Sequence, residues 1–160
     1  MPVSRRVSRT RTSEQSMGFP NVCFICEQPF LSKDKPKAYF CPEHRFYGSK
    51  TSVQALIRQL SRARKLGAPA DLTWAEWSQT LNDFEGMCAY CQKRPYQVLE
   101  HFIPLGQPDS GTTVVNCVPA CYWCNRLKGA RSPETSRLPS HQIVRVRTYL
   151  VHNRRKKIRN

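Results

Sequence analysis

Two C-x-x-C pairs constrain this chain more than any other feature of its sequence. Cys88 and Cys91 form the first pair, and Cys121 and Cys124 form the second. Four thiolates that meet in space supply the soft ligand set that a tetrahedral Zn²⁺ ion prefers. The metal would stabilise a short segment that an apolar core alone could not hold together. The sequence therefore predicts a structural zinc site that closes a compact unit over residues 87–131.

A second cysteine-rich segment precedes this unit. Cys23 and Cys26 are followed by Cys41 and His44, which have the same two-residue spacing. Three thiolates and one imidazole would form another structural zinc site, and four protein ligands leave no open position for catalysis. An ordinary surface role for His44 is the alternative. The remaining cysteine, Cys117, is expected to pack as a small apolar residue.

Four polar residues within and beside the cysteine pairs suggest hydrolytic chemistry. Glu100 and His101 stand side by side at the start of an apolar stretch. Asn116 lies in a second apolar stretch, and Asn125 directly follows the last cysteine. A neutral imidazole is the natural general base near pH 7, and carboxylate and amide oxygens suit a hard ion such as Mg²⁺ or Mn²⁺. Taken singly, the same residues are typical of a surface pair, a turn and a helix cap.

In this arrangement the segment over residues 88–129 resembles the core of the HNH endonucleases, the ββα-metal nucleases. The acidic residue, the histidine and the central asparagine of that family match Glu100, His101 and Asn116. Asn125 matches the position that opens the family's helix, where histidine is common, so the chain resembles the H-N-N form. Aspartate is more usual than glutamate at the first of these positions.

The resemblance implies a metal-dependent DNA endonuclease that hydrolyses phosphodiester bonds. His101 would act as the general base on a water molecule, and Asn116 would orient its imidazole from the facing strand. Glu100 and Asn125 would bind the catalytic Mg²⁺ or Mn²⁺ ion beside the leaving oxygen, where negative charge develops. One such centre would nick one strand, and a homodimer would supply two centres for double-strand cleavage. The alternatives are a nucleic-acid-binding zinc protein whose HNH core is inactive and a structural RNA-associated protein.

The charge of the chain favours a polyanionic partner. Its 160 residues include 26 basic and 11 acidic ones, which gives a net charge of +15. Such an excess favours nucleic acid, and double-stranded DNA is the partner that we expect. No apolar run approaches the ~20 residues that span a bilayer, and the basic N-terminus lacks the apolar region of a secretory signal. We therefore expect no membrane partner and a reducing, intracellular location, cytoplasmic or nucleoid-associated.

Several basic side chains are candidates for contacts with phosphate. The residues with this expected role are Arg5, Arg6, Arg58, Arg62, Lys65, Arg126 and Lys128. Arg58, Arg62 and Lys65 fall on one face of a helix predicted for residues 51–66. Lys128 matches a basic position that is common in the family. A merely solvated basic surface is the alternative for the helix and for the N-terminal arm.

The sequence predicts an α+β protein with a small zinc-stabilised ββα core, an N-terminal zinc finger and flanking helices. The expected segments are a basic disordered arm over residues 1–18, a zinc finger over 19–50, a helical segment over 51–86, the nuclease core over 87–131, and a basic helix and tail over 132–160. Strands are expected at 97–103 and 114–118, and a last helix at 141–151. A second helix is predicted to begin at a capping box that starts at Thr73 and to end at Gly86.

Overall fold

The computed structural model describes residues 18–33, 40–44 and 51–159, so Arg5 and Arg6 lie outside the described residues. The elements in chain order are β1 (Phe19–Val22), β2 (Pro29–Ser32), α1 (Thr51–Lys65), α2 (Trp74–Asp83), β3 (Val98–His101), β4 (Cys117–Ala120), α3 (Tyr122–Lys128), a 3₁₀ turn (Pro133–Thr135) and α4 (Ser140–Arg159). The strands form two antiparallel pairs, β1 with β2 and β3 with β4. The predicted α+β class is confirmed.

The β3–β4 sheet separates two apolar cores. Leu99 lies opposite Pro119, and His101 lies opposite Cys117. Because successive side chains of a strand point to opposite faces, Leu99 and Cys117 join a core that includes Trp77 of α2. Val118 joins the other core, which also contains apolar residues of α4 and three cysteines of the C-x-x-C pairs. Cys117 is therefore packed as a small apolar residue, as the sequence predicts.

The second helix begins and ends where the sequence predicts. The hydroxyl of Thr73 accepts a hydrogen bond from the backbone N–H of Glu76 at 3.1 Å, and the Glu76 carboxylate accepts one from the Thr73 N–H at 2.9 Å. These reciprocal bonds are a capping box, which satisfies backbone donors at the start of α2. Gly86 follows the helix with φ of 69°, and its N–H donates to the Leu81 carbonyl at 2.8 Å. Glycine takes this left-handed conformation at little cost.

The strands of the β3–β4 sheet are shorter than the sequence predicts. Residues 114–116 form a turn, and β4 begins only at Cys117. The reason lies in the Asn116 side chain, which binds backbone groups of Ile103 and Gly111. These bonds hold the chain in a turn before the strand pairing begins.

The last helix is longer than predicted. It runs from Ser140 to Arg159, so most of the basic C-terminal run is helical. No proline or glycine occurs after Pro139 to end the helix. Lys157 is anchored by an ion pair of 2.7 Å with Asp71. Among the described residues, none of the helices has both the length and the apolar character that crossing a membrane requires.

Candidate functional site

The four cysteines of the C-x-x-C pairs meet in space. The sulfur atoms of Cys88, Cys91, Cys121 and Cys124 all lie within 4.8 Å of one another. The Sγ atoms of Cys91 and Cys121 are 4.0 Å apart, close to the edge of about 3.8 Å that Zn–S bonds of about 2.3 Å give a tetrahedron. None of the eight cysteines forms a disulfide. The cluster is compatible with a structural zinc ion.

A second cluster brings together Cys23, Cys26, Cys41 and His44, whose ligand atoms also lie within 4.8 Å of one another. His44 Nδ1 lies 3.2 Å from the Cys41 sulfur and 3.7 Å from the Cys23 sulfur. The imidazole therefore takes part in the cluster through its Nδ1 side. This cluster is also compatible with structural zinc, and its four protein ligands would fill a tetrahedral shell.

The first C-x-x-C turn of each cluster has the same backbone hydrogen bond and ends in a residue with positive φ. The N–H of Glu27 donates to the Cys23 carbonyl, and the N–H of Gln92 donates to the Cys88 carbonyl, both at 2.9 Å. Glu27 and Gln92 have φ values of 59° and 52°, a left-handed conformation that side chains rarely adopt. Neither position carries glycine or asparagine, so the sequence gives no sign of these turns beyond the cysteine spacing.

This backbone favours the thiolate form of one cysteine in each cluster. Burial acts to raise the pKa of Cys23 and Cys91, but neighbouring backbone N–H groups outweigh it. The resulting pKa is about 6 for Cys23 and about 7 for Cys91. Thiolates are the species that bind zinc. A hydrogen bond with Glu43 raises the pKa of Cys41, and burial raises the pKa of Cys88 and Cys124, so the backbone favours the thiolate at only one cysteine of each cluster.

His101 ends β3 and is held by a hydroxyl group from the following loop. Its Nε2 lies 2.9 Å from Thr112 Oγ1, and that hydroxyl donates to the Gln59 carbonyl at 3.1 Å. A hydroxyl has one proton to donate, so Thr112 accepts from an Nε2–H group and Nδ1 carries the free lone pair of the neutral ring. The side chain that binds the imidazole is therefore Thr112, whereas the family resemblance implied Asn116 for this role.

The surroundings of His101 keep its imidazole neutral at pH 7. Burial, and then the positive charges of Arg62 and Lys128, lower the pKa of His101 to about 4. All three effects disfavour the protonated ring. An imidazole in this state can accept a proton.

Asn116 fixes the loop that follows His101. Its Oδ1 accepts from the Ile103 N–H at 2.8 Å, and its Nδ2 donates to the carbonyls of Ile103 and Gly111 at 3.0 and 2.9 Å. A Cβ atom at Gly111 would lie 2.8 Å from the Pro69 carbonyl oxygen, so only glycine fits there. The side-chain hydrogen bonds of Asn116 thus support the site through the backbone of Ile103 and Gly111.

Glu100 lies at the centre of a buried polar network. Its Oε2 accepts from the Tyr90 hydroxyl at 2.5 Å, and its Oε1 lies 2.8 Å from the Lys128 ammonium group. Burial raises the pKa of Glu100, and the charge of Lys128 opposes this effect. Burial and the adjacent carboxylate raise the pKa of Tyr90 well above its usual value, so Tyr90 remains a hydrogen-bond donor.

Lys128 differs from the expectation of an exposed phosphate contact. Its side chain is 0% exposed, and its ammonium group pairs with Glu100. The sequence predicted its helix correctly, but helix position alone does not reveal which polar groups lose their water. Arg126, two residues earlier, is exposed on another face of α3.

Three of the four predicted catalytic residues share one cavity of about 290 Å³. Its polar and charged lining includes Arg62, Glu100, His101, Asn125 and Lys128. The cavity therefore joins the end of β3 to α3 and to the basic face of α1, where Arg58 and Lys65 are exposed as predicted. A larger cavity of about 550 Å³ contains Asn116 and has no contribution from Glu100, His101 or Asn125.

Glu100 and Asn125 both carry side-chain oxygen atoms and line the smaller cavity. A carboxylate and an amide oxygen are donors that Mg²⁺ and Mn²⁺ accept. Each oxygen of Glu100 already binds one protein group and keeps a second lone pair. The Lys128 ammonium competes for the same carboxylate, so an ion bound here would share Glu100 with it or displace it.

Replacing Lys128 with methionine is expected to destabilise the fold by about 3–5 kcal/mol, because Glu100 would remain buried without its counter-ion. Urea unfolding measures this change. The Lys157→Met variant is the matched control, since that lysine forms a half-exposed pair with Asp71 and should lose at most about 1 kcal/mol. Adding Glu100→Gln to Lys128→Met should recover most of the loss. Equal stability of the Lys128 and Lys157 variants would contradict a buried ion pair.

Comparisons with known proteins identify no relative of this chain. No protein-family model matches it, and no curated protein or solved structure matches it either. Its function therefore has to be inferred from the residues that line the site.

Proposed function

We propose that this chain is a metal-dependent DNA endonuclease with an HNH-type active centre between β3 and α3. The observation that carries the proposal is the convergence of Glu100, His101 and Asn125 on one cavity. These are three of the four residues that match the family's functional positions. The exposed cation Arg62 lines the same cavity, which suits a phosphodiester substrate.

His101 is the proposed general base. It accepts a proton from the attacking water at Nδ1, because Nε2 is engaged by Thr112 at 2.9 Å. Its pKa of about 4 in the free protein keeps it unprotonated. A bound phosphate brings negative charge that favours the imidazolium form, so the ring becomes a stronger base when the substrate is present.

Glu100 and Asn125 are the proposed ligands of a catalytic Mg²⁺ or Mn²⁺ ion. Such an ion, when bound, stabilises the negative charge that develops on the leaving oxygen. Arg62 is exposed and lines the same cavity, so its guanidinium can bind the phosphate oxygens. One centre per chain cuts one strand, and double-strand cleavage requires two copies or two successive visits.

The cysteine cluster positions Asn125. Cys121 caps the N-terminus of α3 and accepts a bond from the Cys124 N–H at 3.5 Å. The N–H of Asn125 donates to the Cys121 carbonyl at 3.0 Å. Zinc in this cluster would therefore fix the start of α3, and with it the distance between Asn125 and the end of β3.

Nicking of supercoiled plasmid DNA tests the proposed function. The zinc-loaded protein would be incubated with plasmid and with Mg²⁺, Mn²⁺, Ca²⁺ or no added ion. We expect nicked circles with Mg²⁺ or Mn²⁺ and little product without an added ion. The family resemblance implies 5′-phosphate and 3′-hydroxyl ends, which end sequencing would identify. A folded, zinc-loaded protein that cuts with none of these ions would contradict the proposal.

A nucleic-acid-binding zinc protein with an inactive centre is the second candidate. It is favoured by the Glu100–Lys128 pair, because a lysine that already neutralises the carboxylate can stand in place of a metal ion. This candidate predicts retention of DNA without cleavage at any metal concentration. Comparing RNA with DNA for both retention and cleavage separates a structural RNA-associated role from both candidates.

Binding to DNA is expected to weaken steeply as salt rises. The exposed residues Arg58, Arg62 and Lys65 on α1, and Arg126 on α3, release counterions when they contact phosphate. With about four contacts, affinity should fall by about 10² between 50 and 200 mM salt. Fluorescence anisotropy with a labelled duplex measures the slope. Changing Arg58 and Lys65 to glutamine should lower the slope of log affinity against log salt by the equivalent of about two phosphate contacts. An affinity that does not depend on salt would contradict binding through phosphates.

A further inference from the structure

Two adjacent aromatic side chains at the start of α3 are exposed and are not used by the proposed mechanism. Tyr122 is 57% exposed and Trp123 is 53% exposed. They lie between Cys121 and Cys124, so their backbone belongs to the cysteine cluster. Large aromatic groups held in water on a rigid turn are typical of a binding surface.

Tyr122 lies beside the candidate active centre. It precedes Asn125 by three residues and Arg126 by four, so its side chain is next to each of theirs on the surface of α3. The N–H of Tyr122 donates to Gln97 Oε1 at 3.1 Å, which ties the first turn of the helix to the segment before β3. A ligand that contacts Tyr122 is therefore adjacent to the proposed metal ligand and to an exposed cation.

Trp123 lies beside a positive charge. The guanidinium carbon of Arg94 lies 5.8 Å from the centre of the indole ring, and the neighbouring Lys93 is also exposed. An apolar protein partner would have to remove water from these charges, and a second copy of a chain with a net charge of +15 would be repelled. The bases of a nucleic acid are flat apolar rings on a polyanionic backbone. They therefore match both the exposed aromatic rings and the positive charge beside them.

We infer that the exposed rings of Tyr122 and Trp123 offer stacking surfaces for unpaired bases, and that the substrate contains single-stranded DNA near the bond that is cut. In a continuous duplex the faces of the bases are covered by their neighbours, so only unpaired bases can stack on these rings. The inference rests on the proposed function for its choice of DNA, and it adds the structural class of the substrate.

Tryptophan fluorescence of the full zinc-loaded chain tests the inference. Of the three tryptophans, Trp77 is buried and Trp74 is partly buried, so Trp123 is the one that reports contact at the surface. The protein would be titrated, without added divalent ion, with a single-stranded oligonucleotide, a blunt duplex of the same sequence and a forked duplex. We expect quenching by the single strand and the fork, and little quenching by the blunt duplex.

Substitution of Trp123 identifies the contact. In fluorescence anisotropy with a labelled oligonucleotide, the Trp123→Leu variant should bind the single strand about tenfold more weakly or worse, with affinity for the blunt duplex nearly unchanged. The Trp123→Phe variant keeps a flat ring and should retain most of the single-strand affinity. Leu66→Ala, at an exposed apolar residue after α1, is the matched control and should bind like the parent protein.

Three results would overturn the inference. One is unchanged single-strand affinity in a folded Trp123→Leu variant, and another is an equal loss for the single strand and the duplex. The third is a dimer that dissociates in this variant, because it would show that a second copy covers the rings. Binding is measured without cleavage, so the two proposals can fail separately. If the protein nicks DNA normally but the Trp123 variants bind the single strand like the parent, only the stacking inference is wrong. If the Trp123 variants bind the single strand more weakly but the protein does not nick DNA with Mg²⁺ or Mn²⁺, only the proposed nuclease function is wrong.

Discussion

Replacing His101 with alanine should reduce plasmid nicking by a factor of about 10²–10⁴, the usual contribution of a positioned general base. DNA binding should change little, because His101 is buried and neutral and contributes no positive charge. Nicking should be lost because the residues that line the cavity between β3 and α3 include no other imidazole. Nicking rates at saturating protein, together with duplex affinity, measure the two quantities separately.

The control for this variant is His152→Ala. His152 is an exposed residue of α4 and is not among the lining residues of the cavity, so its removal should leave nicking unchanged. Thr112→Val should fall between the two, since it keeps the imidazole but removes the hydroxyl that engages Nε2. Full activity of the His101 variant, or equal losses in both histidine variants, would refute the assignment of the base.

Replacing Cys121 with serine should unfold the core and release one zinc ion. Serine is a good helix N-cap, so the start of α3 keeps its capping group and the lost element is the metal ligand. Structural zinc contributes about 10–16 kcal/mol in small domains at pH 7. Losing most of this free energy would remove the whole stability of a typical domain, which is about 5–15 kcal/mol.

Zinc content under native conditions and thermal unfolding measure the effect of Cys121→Ser. We expect two zinc ions in the parent protein and one in the variant. Cys117→Ser is the matched control, because Cys117 is buried but lies outside both clusters, and it should keep both ions. A folded Cys121→Ser protein that still binds two zinc ions would show that the four cysteines do not act as one site.

The features that could be predicted from the sequence depend on local geometry. The two residues of a C-x-x-C pair are close enough to share one metal ion, and the predicted residues of both clusters do lie together. The capping box of α2 depends only on Thr73 and Glu76. Trp77 of the same helix is buried.

The features that were missed depend on contacts between distant segments. Thr112 reaches His101 only because the loop before β4 folds onto α1, where Gln59 accepts its proton. Tyr90 and Lys128 meet Glu100 from two other segments, and no spacing rule indicates that these groups would lose their water together. The turn over residues 114–116 follows from the side-chain bonds of Asn116, which override the strand preference of the valines.

The most direct measurement is the position of Mn²⁺ in crystals of the zinc-loaded protein, determined by anomalous scattering at the manganese edge. The proposal predicts a manganese peak in the cavity between the Glu100 carboxylate and the Asn125 amide oxygen, with His101 close by but not a ligand. A cavity that stays free of manganese at saturating concentration, with Lys128 still paired to Glu100, would contradict a metal-dependent centre.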